Sequence, residues 1–207
     1  MGLETNSGKI TYLNIKEGKL SFKDAKGEKV TADAISGVIT KVEFSIEEYL
    51  GREVEKAKIT IVDGNDKYLL QMGVDSGYFR GFCNSLRSGD YTKKVRIAPF
   101  FADKDGKKSS TCFVEQNGKA LKHFFTKDNP GELPPVEKVT FKGKDNYDGT
   151  KQIEYWKNWL LSLKLESEFL QGGVNHDEEV DKGGKNSVQI SSNVDSDLNP
   201  DNDDLPF

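Results

Sequence analysis

The sequence predicts a mainly β protein with two helical interruptions and an acidic tail. Three observations predict it. Apolar and polar residues alternate through most of the first 142 residues. Those runs are divided by turn signals such as Glu17-Gly18, Asp63-Gly64-Asn65-Asp66, Asp103-Lys104-Asp105-Gly106 and Asn117-Gly118. Apolar residues at helical spacing occur in only two stretches.

In chain order, Gly8 to Ile15 and Lys19 to Lys23 read as a hairpin turning at Glu17-Gly18, and Glu28 to Ala32 adds a short strand. Gly37 to Tyr49 is the longest strand, with Val38, Val42, Phe44 and Ile46 on its apolar face and Lys41, Glu43, Ser45 and Glu47 opposite. Glu53 to Val62 follows, then Lys67 to Gly73. Asp75-Ser76 caps a helix to about Ser88, with Phe79, Phe82 and Leu86 on one side and Gly89 as its stop. Strands resume at Lys93 to Ala102, Ser109 to Gln116 and Lys119 to Thr126. Pro130-Gly131-Glu132-Leu133-Pro134-Pro135 makes a rigid connector, and Val136 to Lys142 a further strand. Thr150 caps a helix from Lys151 to Leu170, whose Ile153, Trp156, Leu160 and Leu163 form an apolar stripe suited to docking on the strands.

From Gly37 the order is strand, strand, strand, helix, strand, strand. That is the order of the OB-fold, a five-stranded Greek-key barrel commonly used to bind oligonucleotides. The predicted fold is therefore an OB-fold with an extra N-terminal hairpin and a C-terminal amphipathic helix over 1–171, joined to a disordered acidic tail over 172–207, where Gly, Asn, Ser and Asp replace any periodicity.

Composition narrows the class. The chain has 207 residues, 35% hydrophobic and 31% charged, with no apolar run approaching a membrane span and no secretory pattern at its start. The reading is an intracellular, cytoplasmic protein with no membrane contact. Cys83 and Cys112 lack CxxC spacing and read as buried thiols of a reducing compartment. The net charge of -4 conceals an asymmetry: nine carboxylates against Lys182 and Lys185 leave residues 172–207 at -7, so residues 1–171 stand at +3.

A sequence-tolerant single-strand binder needs cations along phosphates and aromatic faces for unpaired bases. Strand alternation places Lys94, Arg96 and Phe100 together, opposite Val95, Ile97 and Phe101. It turns Lys56 and Lys58 outward from a buried Ala57, Ile59 and Ile61, and sets Phe113 outward from Cys112 and Val114. Tyr49 and Tyr68 lie near strand ends, where OB-fold loops meet ligand. The candidate groove is Tyr49, Lys56, Lys58, Tyr68, Lys94, Arg96, Phe100 and Phe113. Each also fits a solvated strand face, and the two phenylalanines fit burial under the N-terminal hairpin or the Trp-bearing helix.

The chain ends Asp203-Asp204-Leu205-Pro206-Phe207, an acidic run closed by an apolar Pro-Phe pair. This tip resembles that of the bacterial single-stranded DNA-binding proteins. The resemblance covers the tip and the acidic stretch before it. It implies that Asp203, Asp204, Leu205, Pro206 and Phe207 recruit replication or repair proteins, while the barrel coats and protects single-stranded DNA during replication, recombination or repair. The N-terminal hairpin, the helix from Lys151 and the short linker depart from that family's pattern. They point to a phage-encoded counterpart and put the family's tetramer in doubt, leaving a homo-oligomer open.

No P-loop, GxGxxG or HExxH is present, and His123 and His176 cannot share a site. Asp195, Asp197 and Asn199 begin like an EF-hand, but Pro200 and Pro206 stand where Gly and Glu are required. The expectation is a binding protein, not an enzyme, without metal or cofactor. The competing class is a β-rich phage structural or scaffolding protein without DNA affinity.

Overall fold

The computed structural model describes residues 10–141 and 144–165. Three strands open it: β1 (Ile10–Lys16), β2 (Lys19–Lys23) and β3 (Lys29–Ala32). Three longer ones follow, β4 (Ile35–Tyr49), β5 (Arg52–Asp63) and β6 (Asp66–Gly73), and then helix α1 (Gly77–Leu86). Next come β7 (Val95–Lys104), β8 (Lys107–Gln116) and the two-residue β9 (Lys119–Ala120). A separate hairpin, β10 (Glu137–Phe141) and β11 (Lys144–Asp148), precedes helix α2 (Thr150–Ser162). The architecture is mainly β.

β4, β5 and β6 are joined by hairpins, and β7 returns through α1 to lie beside β4. The spatial order β7-β4-β5-β6 is a Greek key. The whole sheet runs β3-β2-β1-β6-β5-β4-β7-β8-β9, with every pairing antiparallel except β1 with β6. The ladder is open. Among the described residues no hydrogen-bonded pairing joins β3 to β9, so the expected five-stranded barrel is replaced by a nine-stranded sheet that is not closed.

Two local features let the sheet change direction. Gly37 lies where β4 passes from β7 to β5, and a Cβ there would meet Ile61 Cγ2 at 2.5 Å and the Val62 carbonyl oxygen at 2.6 Å. Just beyond it the register slips between Ile39 and Lys41, which makes Thr40 an extra bulge residue. The bulge corrects the alternation expected for this strand. Ile39, not Val38, enters the core, whereas Ile46 lies past the core and is 67% exposed.

The β1–β2 turn packs against β7 without pairing to it. Gly18 has φ +73°, and a Cβ there would lie 2.6 Å from Phe101 N, so glycine is needed both for the backbone and for the approach. Its N–H donates to Tyr78 Oη at 3.0 Å, tying the turn to α1. β7 has left β4 behind after Ile97, and Pro99, which lacks a donor, occupies that edge segment.

The core fills the space between the sheet and α1. Ile59, Ile61, Leu70, Ile97 and Val114 meet Phe79, Phe82 and Leu86, all fully buried. Ser76 caps α1 as expected, its Oγ accepting from Phe79 N at 3.2 Å. α1 seats tightly on β8: a Cβ on Gly81 would lie 2.1 Å from Thr111 Oγ1, and one on Gly77 2.2 Å from the Ser110 carbonyl oxygen. Cys83 and Cys112 are buried thiols, their pKa values raised by burial, that of Cys112 to about 12.

Two other expectations change. Only Lys119 and Ala120 of the predicted strand to Thr126 are strand, because Asn84 of α1 captures the following segment, donating to the Phe125 carbonyl and accepting from its N–H. Helix α2 ends at Ser162, and its N-cap is Gly149, without a side-chain cap. Asp148 serves instead, accepting from Thr150 N and Oγ1. α2 buries Trp156 and Leu160 and is held to β5 by the Lys157–Glu55 ion pair. The predicted disordered tail and residues 166–170 of the predicted helix lie outside the described residues.

Candidate nucleic-acid interface

Register decides which candidate residues share a face. Opposite residues on paired strands project to the same side, and β4 and β5 pair Glu43 with Lys58, Ser45 with Lys56, and Tyr49 with Arg52. Ser36 pairs with Arg96 across β4 and β7, and Ala98 with Phe113 across β7 and β8. Tyr49, Lys56, Lys58, Arg96, Phe100 and Phe113 therefore stand on one side of the sheet, away from the core, while Lys94 precedes β7 and is placed by no pairing. Tyr68 does not. It pairs with Ile61, on the core side, where burial and then Asp66 and Asp63 raise its pKa.

Phe100 and Phe113 are the exposed aromatic pair of this face. They are 47% and 41% exposed, with ring centroids 5.7 Å apart and planes tilted by 56°. Neither the N-terminal hairpin nor α2 covers them. The tilt presents two separate faces to solvent rather than a closed slot. A half-exposed phenylalanine forgoes half of the roughly 1.5–3 kcal/mol that full burial supplies, and here two adjacent strands do so side by side.

The predicted cations carry an unforeseen feature: each is in an ion pair. Lys56 and Lys58 share Glu47, at 2.8 and 3.0 Å. Lys94 reaches Asp63 and Arg96 reaches Glu115, both at 2.7 Å. The hydrogen bond from Lys56 is the largest of the effects that hold the Glu47 carboxyl below its usual range. Pairs this exposed are worth under about 1 kcal/mol each, so phosphate oxygens can displace the carboxylates at small cost. The acids mask the positive charge of the face without locking it away.

Sequence reasoning missed three contributors. Lys104 and Lys107 stand opposite each other beside the Asp105-Gly106 turn, on the face of the strand pair that carries Phe100 and Phe113, and neither is in an ion pair among the described residues, whereas Lys108 stands opposite Asp103 on the other face. Lys104 falls in the predicted turn Asp103-Lys104-Asp105-Gly106, and strand alternation back from Phe113 was the available signal for Lys107. Tyr12, 56% exposed, pairs with Leu69 on the same outward side, two strands from Lys58. Its own strand reads as an ordinary hairpin arm, so only the β1–β6 pairing could place it. Asp203, Asp204, Leu205, Pro206 and Phe207 lie outside the described residues.

Among the described residues no three His, Cys, Asp or Glu side chains are grouped to hold a metal ion, and no helix is long and apolar enough to cross a membrane. Comparison with family models, curated proteins and solved structures finds no significant match. The functional argument therefore rests on the residues themselves.

Proposed function

We propose that this protein binds single-stranded DNA without sequence preference, coats and protects it, and recruits replication, recombination or repair proteins through its acidic C-terminal tip. The observation that carries the reading is the exposed Phe100–Phe113 pair, set on an outward sheet face between paired cations and the free lysines of the β7–β8 turn. Unpaired bases stack on aromatic faces irrespective of identity, and flexible cations follow the phosphates.

Three further features support it. The Greek-key order with α1 between its third and fourth strands agrees with an OB-fold, here an open variant in which β1 takes the place beside β6. One of the OB-fold loops that meet oligonucleotides corresponds to the β7–β8 turn, which carries exposed side chains. The tip Asp203-Asp204-Leu205-Pro206-Phe207 resembles the recruiting tips of bacterial single-stranded DNA-binding proteins. This reading requires neither catalysis nor a cofactor, and it places the protein in the cytoplasm, that of the host if phage-encoded.

The test is a titration of labelled oligo-dT and of a duplex of equal length at low and high salt. Salt-sensitive binding to the single strand with little to the duplex is expected. Absence of binding to either would overturn the reading.

A further inference from the structure

The molecule turns four hairpins with the same backbone, an X-Gly pair with both residues at positive φ. They are Glu17-Gly18 (48° and 73°), Leu50-Gly51 (50° and 74°), Asp105-Gly106 (55° and 77°) and Asn117-Gly118 (54° and 72°). Two have the Asp or Asn that such a turn favours, and a third has the polar Glu17. The β4–β5 turn has leucine, in a backbone region that apolar side chains rarely adopt, and its side chain is 75% exposed.

Two more costs fall at the same tip. Ile46 is 67% exposed. Glu48 and Glu53 stand directly opposite each other on β4 and β5, a like-charge pair, and neither is in an ion pair among the described residues. Glu47 and Glu55 are satisfied inside the fold by Lys56, Lys58 and Lys157. Backbone strain, exposed aliphatics and opposed carboxylates are each unfavourable in the free protein. A surface that is apolar at its centre and basic at its rim relieves the exposure and the repulsion together. A nucleic acid does not fit, since Glu48 and Glu53 repel its phosphates.

The chain carries such a surface itself. Phe124 is 46% exposed although its backbone is fixed, its N–H donating to the Asn84 carbonyl at 3.0 Å and the next residue held by the Asn84 side chain. Phe125 meets the ring edge-on at 4.9 Å, and the Arg87 guanidinium lies 5.1 Å from its centroid. Lys122 and Lys127 are exposed on either side of it in sequence, neither in an ion pair among the described residues, and the carboxylates nearby are Asp128 and Glu132, the latter paired with Arg87.

We infer that the β4–β5 tip of one copy, through Ile46, Leu50, Glu48 and Glu53, docks on the Phe124 surface of a second copy, through Lys122 and Lys127. The contact is heterologous, one patch meeting a different one, so it propagates into open chains of molecules and does not stop at a dimer. It leaves Phe100 and Phe113 free, and so gives a protein that coats a strand a means of lining up copies along it. The association itself does not depend on the DNA reading.

The full-length protein is examined by sedimentation equilibrium, alone and as Leu50→Asn and Phe124→Ser variants. The parent is expected to gain average mass with concentration, less so at high salt. Each variant alone stays monomeric. Mixed in equal amounts they form a 1:1 dimer that grows no further, because Leu50→Asn retains the Phe124 surface and Phe124→Ser retains the tip. Leu50→Asn suits the turn better than leucine and melts no lower than the parent, which separates lost docking from lost folding. A parent that is monomeric throughout, or a mixture that stays monomeric or grows beyond a dimer, overturns the proposal. So does association that survives Leu50→Asn but vanishes on removing residues 197–207, since the tail would then be the occupant.

Discussion

The β4–β5 and β7–β8 hairpins share a backbone and differ in chemistry. Both are long antiparallel arms ending in an X-Gly turn of positive φ. The β7–β8 turn is Asp105-Gly106, flanked by Lys104 and Lys107, with Phe100 and Phe113 exposed below it. The β4–β5 turn is Leu50-Gly51, with Ile46 exposed and two opposed glutamates below it. Cations with flat aromatic faces suit a polyanion of stackable bases. Carboxylates with aliphatic side chains suit a basic protein surface. One fold thus displays two arms that solve different recognition problems, and substitutions can set one against the other.

The largest effect is expected from Phe100→Ala with Phe113→Ala. Base–aromatic stacking is worth about 1–3 kcal/mol per base, so oligo-dT affinity should fall at least about tenfold while Leu50→Asn leaves it unchanged at dilute protein concentration. Fluorescence anisotropy in the two backgrounds decides this. Equal losses from both variants would dissolve the distinction between the arms.

Salt dependence sharpens the comparison within the basic arm. Each phosphate contact on a single strand contributes about 0.7 to the slope of log affinity against log salt. Replacing the unpaired Lys104 and Lys107 together by Ala should reduce that slope by up to about 1.4. Lys94→Ala with Arg96→Ala should reduce it less, because those cations start out paired with Asp63 and Glu115. A larger loss from the second set would move the phosphate track from the turn to the sheet.

The division between what the sequence revealed and what it hid follows the range of the interactions. Alternation along single strands placed Ala57, Ile59 and Ile61 inside and Phe100 and Phe113 outside, because side-chain direction in a strand is a local property. The bulge at Thr40 is equally local in its effect, yet no residue type announces it, and it reversed Val38 and Ile39. Tyr68 went to the wrong face because position near a strand end says nothing about side. Long-range pairing was hidden altogether. The placing of β1 beside β6, the capture of Phe125 by Asn84 and the masking of Lys94 by Asp63 all join residues far apart in sequence. Charge counting gave a basic body but could not show that its outward lysines were already partnered.

That masking gives the smallest predicted effect and the one with an inverted sign. If carboxylates hold the cations of the sheet in readiness for phosphate, removing an acid should tighten binding. Glu47→Gln frees Lys56 and Lys58 at once, and Glu115→Gln frees Arg96. Each gain is bounded by the pair it releases, under about 1 kcal/mol, so a two- to fivefold increase in oligo-dT affinity at low salt is expected, shrinking as salt rises. Acid should imitate Glu47→Gln. The Glu47 carboxyl is held below its ordinary value of 4.5 by the Lys56 hydrogen bond, so its pairing is intact at neutral pH. The pairing stabilises the fold above the unfolded pKa and is lost as pH falls through the lower, folded value. Binding that strengthens only below pH 4.5 in the parent, and shows less of this rise in Glu47→Gln, would mark Glu47 as the group that yields to phosphate. Unchanged or weakened binding in Glu47→Gln would instead make the Lys56–Glu47–Lys58 cluster part of the scaffold and shift the interface towards the β7–β8 arm.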